Sequence, residues 1–173
     1  DILKQLAALS VECAEQPIPR GAPEGLAAVQ AGSPIPVMAD ESLVTVEDGR
    51  ALIAARACEY FNLRLSKCGG IRRTLEIAGE AQRAGVRLQV GCQVGEVAIL
   101  SAVGRHLAAY LDDVVYVEGS YGSMLLSEDI GEESISFGSG GIGEVLRGPG
   151  LGVRVVNERL SSYAKSVIEL GAG

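Results

Sequence analysis

The sequence predicts an α/β fold with a parallel sheet, built as part of a TIM-type (β/α) barrel. Three observations carry this reading. Segments of helical and strand character alternate regularly up to residue 118. The strand segments are short and apolar on both sides, as parallel strands covered by helices are. Two of them, 11–15 and 35–40, end on carboxylates at matching places, Glu15 before Gln16 and Pro17, and Asp40 before Glu41 and Ser42. Glu15 and Asp40 stand 25 positions apart, about one strand, one helix and two loops, which is how a barrel delivers side chains from successive strands to one mouth. Two acids at one mouth suggest a divalent cation.

In order, the pattern reads as a helix over 2–8, a strand over 11–14, a helix over 23–31 and a strand over 35–39. It continues with a helix over 46–57, a strand over 61–66, a helix over 71–84, a strand over 87–90, a helix over 97–110 and a strand over 114–117. The helices repeat apolar residues at three- and four-residue spacing, as in Ala51, Leu52 and Ala55 or Leu75, Ala78 and Ala81, which gives each one face to lay on a sheet. After Glu118 the pattern gives way to glycine-rich sequence, with β-like pieces at 134–137 and 152–156. The chain therefore divides into a barrel part, 1–118, and a glycine-rich tail with a terminal helix, 119–173, expected to leave the barrel and pack elsewhere, for example against a separate domain. Its glycine clusters lack the GxxxxGK[ST] pattern of a phosphate loop.

At 47% hydrophobic and 21% charged residues, the composition is that of a soluble cytoplasmic domain, and no apolar run is long enough to cross a membrane. A formal net charge of −7 disfavours nucleic acid and anionic lipid, which reward clustered Lys and Arg. Small molecules are the expected partners. Cys13, Cys58, Cys68 and Cys92 form no CxxC pair and His106 is the single histidine, so reduced, mostly buried thiols are expected rather than zinc or disulfides. With 173 residues, the chain is shorter than the ~200–250 of a complete barrel. It starts at Asp1 already inside a helical pattern, so a fragment, or a half completed by a partner, is expected.

Four motifs in order carry a resemblance: Glu15-Gln16-Pro17, Ala39-Asp40-Glu41-Ser42, the segment 62–67 with Cys68-Gly69-Gly70, and Gly91-Cys92 ahead of Glu96. Together they resemble the C-terminal half of the enolase superfamily, most closely its muconate lactonizing and dipeptide epimerase branch. The resemblance implies about the last five strands of a modified (β/α)7β barrel, a cap domain on which the tail packs, and Mg²⁺ held by acids on three successive strands. Glu15 resembles the second ligand and Asp40 the third; the first, and a Lys-x-Lys pair, would lie upstream of Asp1. Also implied is removal of the α-proton of a small carboxylate substrate through a metal-stabilised enediolate, by an isomerase, cycloisomerase, lyase or dehydratase. Hard oxygen ligands at strand ends suit such an ion independently of the name.

One position departs from the pattern. In racemases and cycloisomerases of that branch a catalytic Lys lies about 24 residues after the third ligand, and that position here is Arg64. Arginine stays protonated, so Arg64 is a poor base but a good partner for a carboxylate or a developing enolate. Two-base racemisation is thereby disfavoured, and a one-base reaction remains open. Strand alternation puts Arg64 on the face of Asn62 and Ser66 and Lys67 on the other face or in the loop; Lys67 is nonetheless a second candidate acid or base should burial lower its pKa. Glu118, ending the last strand one residue off the expected register, is a candidate substrate-facing acid. Glu41 reads as support for the metal ligands, Glu96 as a first-turn acid, and His106 as a packing residue.

The alternative to an enzyme part is an inactive remnant or structural half-barrel that assembles with a partner. An open five-strand sheet leaves two unpaired edges and turns its inward side chains to water, so the chain is expected to form a homo-oligomer or to take up a complementary N-terminal half. Light scattering checks this: a monodisperse monomer that unfolds cooperatively would overturn it.

Overall fold

The computed structural model describes residues 2–133 and 135–168. Five strands lie side by side in chain order and all parallel: β1 (Ala14–Glu15), β2 (Val37–Ala39), β3 (Tyr60–Leu63), β4 (Arg87–Val90) and β5 (Val114–Val117). Helix α1 (Ile2–Ala8) precedes them, and α2 (Pro23–Gly32), α3 (Val46–Ala54), α4 (Ile71–Ala84) and α5 (Ala98–Tyr110) make the crossovers. Right-handed crossovers between sequential parallel strands put their helices on one face of the sheet. That face is the apolar core, where Val37, Ala39, Phe61, Leu63 and Leu88 pack with Leu26, Leu43, Leu52, Ile77, Ala78 and Ala81.

Parallel pairing preserves the alternation of side chains from strand to strand, so the intervening residues share the opposite face. Glu15 pairs with Met38, Met38 with Tyr60, Asn62 with Gln89 and Gln89 with Tyr116. This second face is concave. The Tyr60 and Tyr116 ring centroids lie 5.9 Å apart, the Arg87 guanidinium sits 4.0 Å over the Tyr60 ring, and the Tyr116 hydroxyl donates to Glu12 Oε2 at 2.6 Å. Tyr116 and Glu12 belong to opposite edges of the sheet, so the five strands curl into an arc of barrel.

Several elements end where local chemistry stops them. Helix α3 opens on a reciprocal capping box between Thr45 and Asp48 and ends earlier than the expected 57, because Arg56 turns left-handed (φ +51°) and Ala57 N–H bonds back to Leu52 O at 3.0 Å. Strands β1 and β2 are shorter than the sequence pattern suggested. Pro36 offers an acceptor to Ala14 N–H but has no N–H to return. Strand β3 stops at Leu63 rather than 66, since 65–69 form a turn closed by Cys68 N–H to Arg64 O and Gly70 N–H to Leu65 O, both at 2.8 Å. Helix α4, strand β4 and strand β5 match the expected ranges.

Beyond Glu118 the described chain folds back along α5. Asp129 accepts from Ala98 N–H at 2.9 Å and so caps that helix, while Arg105 donates to Ile135 O and Glu144 O, each at 2.8 Å, and its guanidinium lies 4.4 Å over the Phe137 ring. Short helices α6 (Gly122–Leu125) and α7 (Asn157–Tyr163) punctuate this segment. In place of the expected strands there is, among the described residues, a single antiparallel bridge, Gly131 to Val155; Ser134 of the piece 134–137 lies outside the described residues, as do 169–173. The described part of the tail is tied to α5 by the Asp129 and Arg105 contacts. All four cysteines are free, Cys58, Cys68 and Cys92 among them buried, and no described helix is long and apolar enough to cross a membrane.

The core and the Tyr116–Glu12 hydrogen bond predict different costs. Phe61, fully buried, should destabilise the protein by about 3–5 kcal/mol when cut to alanine. Tyr116→Phe, which removes one exposed hydrogen bond, should cost about 1 kcal/mol or less. Urea unfolding midpoints of the two variants check the ranking.

Candidate metal and acid-base site

The concave face ends in charged residues because four of the five strands run out on one. Glu15 closes β1, and Asp40, Arg64 and Glu118 directly follow β2, β3 and β5. All four are in phase with the inward residues Met38, Asn62 and Tyr116. Glu118 gets there through a bulge: Leu88 pairs with Val114 but Gln89 pairs with Tyr116, so β5 carries one extra residue.

Asp40 is the centre of the cluster and is 1% exposed. Lys67 Nζ takes its Oδ1 at 2.6 Å, and Arg64 Nη2 pairs with its Oδ2. The same Arg64 nitrogen lies 3.4 Å from Glu15 Oε1 and 3.9 Å from Glu41 Oε1. Strand parity had set Lys67 apart from Arg64, but parity ceases to apply once β3 stops at Leu63. The 65–69 turn swings Lys67 back over the strand end, where Nζ also donates to the backbone oxygens of Asp40 at 2.6 Å and Asn62 at 3.1 Å. Burial lowers the Lys67 ammonium to about 8, and the neighbouring Arg64 adds to the effect against the pull of Glu41 and Glu15.

Two amides hold the acids in place, and sequence reasoning gave neither a role. Asn62 Nδ2 donates to Glu15 Oε1 at 2.8 Å. Gly91 permits this, since a Cβ there would overlap the Asn62 amide. Gln16, left-handed at φ +36°, accepts from the N–H groups of Asp40 (3.0 Å) and Ser42 (3.1 Å) and donates to Ser42 Oγ (2.9 Å) and Ile18 O (2.8 Å). It thereby clamps the end of β1 to the loop after β2. The available signal was an amide, able both to donate and to accept, directly after a strand-end acid.

Glu118 stands above the usual carboxylate range because it is desolvated and faces Glu15, with Arg64 pulling the other way. Glu96 is also raised by burial, and its Oε1 accepts from Gln93 N–H at 2.6 Å, so it closes the loop before α5. His106 is remote from this mouth, with Nε2 3.0 Å from Leu151 O of the tail. Among the described residues no three His, Cys, Asp or Glu side chains converge as a complete metal site. What the chain does offer is two carboxylates meeting on one cationic nitrogen, a donor pair that fits two ligand positions of a hard divalent ion.

The family model described as Enolase C-terminal domain-like matches residues 1–159. Muconate cycloisomerase 1 of Pseudomonas putida is 33% identical over 155 residues, which cover 90% of this chain and 41% of that protein. L-Ala-D/L-Glu epimerase of Clostridium acetobutylicum is 34% identical over 150 residues, 86% of this chain and 41% of its own length. Among solved structures, dipeptide epimerase from Cytophaga hutchinsonii, complexed with Mg and the dipeptide D-Ala-L-Val, superposes with a TM-score of 0.85 at 30% identity, covering 92% of this chain and 43% of that one. The chain thus spans about two-fifths of the length of these relatives.

Glu118 supplies a test of the site's electrostatics. A carboxyl whose folded pKa is raised contributes stability below its ordinary value of 4.5 and loses it as pH rises through the folded value. Glu118→Gln should therefore match the parent near pH 4 and show a higher urea midpoint at pH 7; equal or lower stability at pH 7 would contradict the assignment.

Proposed function

Because the chain belongs to the Enolase C-terminal domain-like family, we propose that it forms the C-terminal part of a Mg²⁺-dependent enzyme that removes the α-proton of a carboxylate substrate. The observation that carries this is the convergence of Glu15 and Asp40 at the mouth of a parallel barrel arc. The names of the relatives, cycloisomerases and epimerases, support the isomerase class. An elimination run from the same carbanion-like state, a lyase or dehydratase, uses the same groups.

Glu15 and Asp40 would hold the ion, oriented by Asn62, Gln16 and Lys67. When bound, the ion would supply positive charge against the substrate carboxylate as its α-proton leaves. Arg64, permanently cationic, binds the carboxylate or the developing enolate oxygen and takes no proton. Lys67 has its donors directed at Asp40 and at two backbone oxygens, so its first task is to fix the ligand; proton abstraction then falls to a base on further polypeptide. With no lysine at position 64, the reaction returns or expels on one face rather than shuttling a proton between two bases. The open edges of β1 and β5 are to be completed by the rest of the barrel or by a second copy, and the site faces a small carboxylate rather than a polymer.

Mn²⁺, an oxygen-seeking stand-in followed by its free-ion EPR signal, tests the metal assignment in the protein carrying this chain. Glu15→Gln and Asp40→Asn should each weaken binding by about 100-fold or more. Binding that survives both substitutions unchanged would overturn the assignment.

A further inference from the structure

We propose that Arg64 is an exchangeable internal cation: its guanidinium and the divalent ion are alternative occupants of the gap between Glu15 and Asp40. This rests on the metal assignment above and adds a control on it. Asp40 is 1% exposed and both of its oxygens are engaged, Oδ1 by Lys67 and Oδ2 by Arg64. Those two side chains bring to one buried carboxylate the charge that a divalent ion would bring. A metal ion therefore enters only where one of them leaves.

The structure distinguishes which. Lys67 is 11% exposed and anchored by Asp40 Oδ1 and two backbone oxygens, so its departure would break three hydrogen bonds. Arg64 is 21% exposed, its contacts to Glu15 and Glu41 are long at 3.4 and 3.9 Å, and its buried Nε has no hydrogen-bond partner. It is also unable to shed its charge. Repulsion from an incoming ion is therefore relieved by rotating the side chain outward, toward Glu41, whose side chain is 57% exposed.

The exchange links two binding events. A guanidinium displaced from Asp40 is free to pair with an anionic ligand at the mouth, so divalent ion and carboxylate ligand strengthen each other's binding by the same factor. Without the ion, the guanidinium is spent on Asp40. The ordinary order is then metal first, carboxylate second.

Mn²⁺ titration of the protein with Arg64→Met and Arg64→Lys tests this. Removing the competing charge should tighten Mn²⁺ by about tenfold or more in R64M, while R64K, which keeps the charge, should stay within about threefold of the parent. Parent and R64M binding alike through Glu15 and Asp40 would overturn the exchange and leave the metal assignment standing. Failure of both to bind Mn²⁺, or binding indifferent to Glu15 and Asp40, would overturn the two together. A measurement on the unmutated protein guards against misfolding of the variants: the Arg64 Nε–H resonance, identified by its loss in R64K, should move during a Mg²⁺ titration with the midpoint of binding. A resonance that stays in place while Mg²⁺ binds refutes the exchange.

Discussion

Burying the charge of Asp40 is the constraint around which the mouth of this half-barrel is built. An ionised carboxylate at 1% exposure is tolerable only with close countercharge and filled acceptor sites, and that requirement dictates the chain around it. Lys67 reaches Oδ1 because β3 breaks off into a turn instead of running on. The turn is possible because Gly69 and Gly70 take φ of +82° and +90°, a region costly for residues with a Cβ. On the other side, Gln16 grips the N–H groups of Asp40 and Ser42, so the acid is held by its backbone as well as by its charge. The two faces of the sheet divide the labour: the helix side supplies apolar burial, and the concave side holds polar groups in fixed positions.

That division explains what the sequence could and could not reveal. Helix α4 is bracketed by Gly70 and a left-handed Gly85, and its apolar spacing is uninterrupted, so both its ends were legible. Strands β4 and β5 lie between strong turn signals and were equally plain. Strand β1 was overestimated because apolar character marks burial, whereas its length is set by which N–H groups find partners, and Pro36 withholds one. The tail, rich in glycine, has no periodicity from which to read its course. Asp129 capping α5 from 31 residues downstream is a tertiary contact that no local pattern announces.

In the site, acids at strand ends were readable because their position follows from the period of two along a strand. Arg64 followed by the same logic. Lys67 was ambiguous for a geometric reason: alternation places a side chain only while the backbone stays extended, and at Arg64 it ceases to be. Asn62 and Gln16 escaped notice since neutral amides carry no charge signal, and their value lies in which carboxylate or N–H they meet. The family resemblance points to the two acids; the amides that aim them are evident only in the folded chain.

The Tyr116–Glu12 hydrogen bond joins residues 104 positions apart, whereas each strand of the sheet pairs with its immediate successor in the chain. In kinetic terms the strands can be added one crossover at a time, each addition closing a loop of similar and modest entropic cost. The strap from Glu12, just ahead of β1, to Tyr116 of β5 spans all the intervening crossovers and closes the longest loop of these contacts. The strap therefore carries a larger loop-closure cost than any strand pairing in the sheet, a cost lowered when the intervening strands already hold the two ends of the arc near each other.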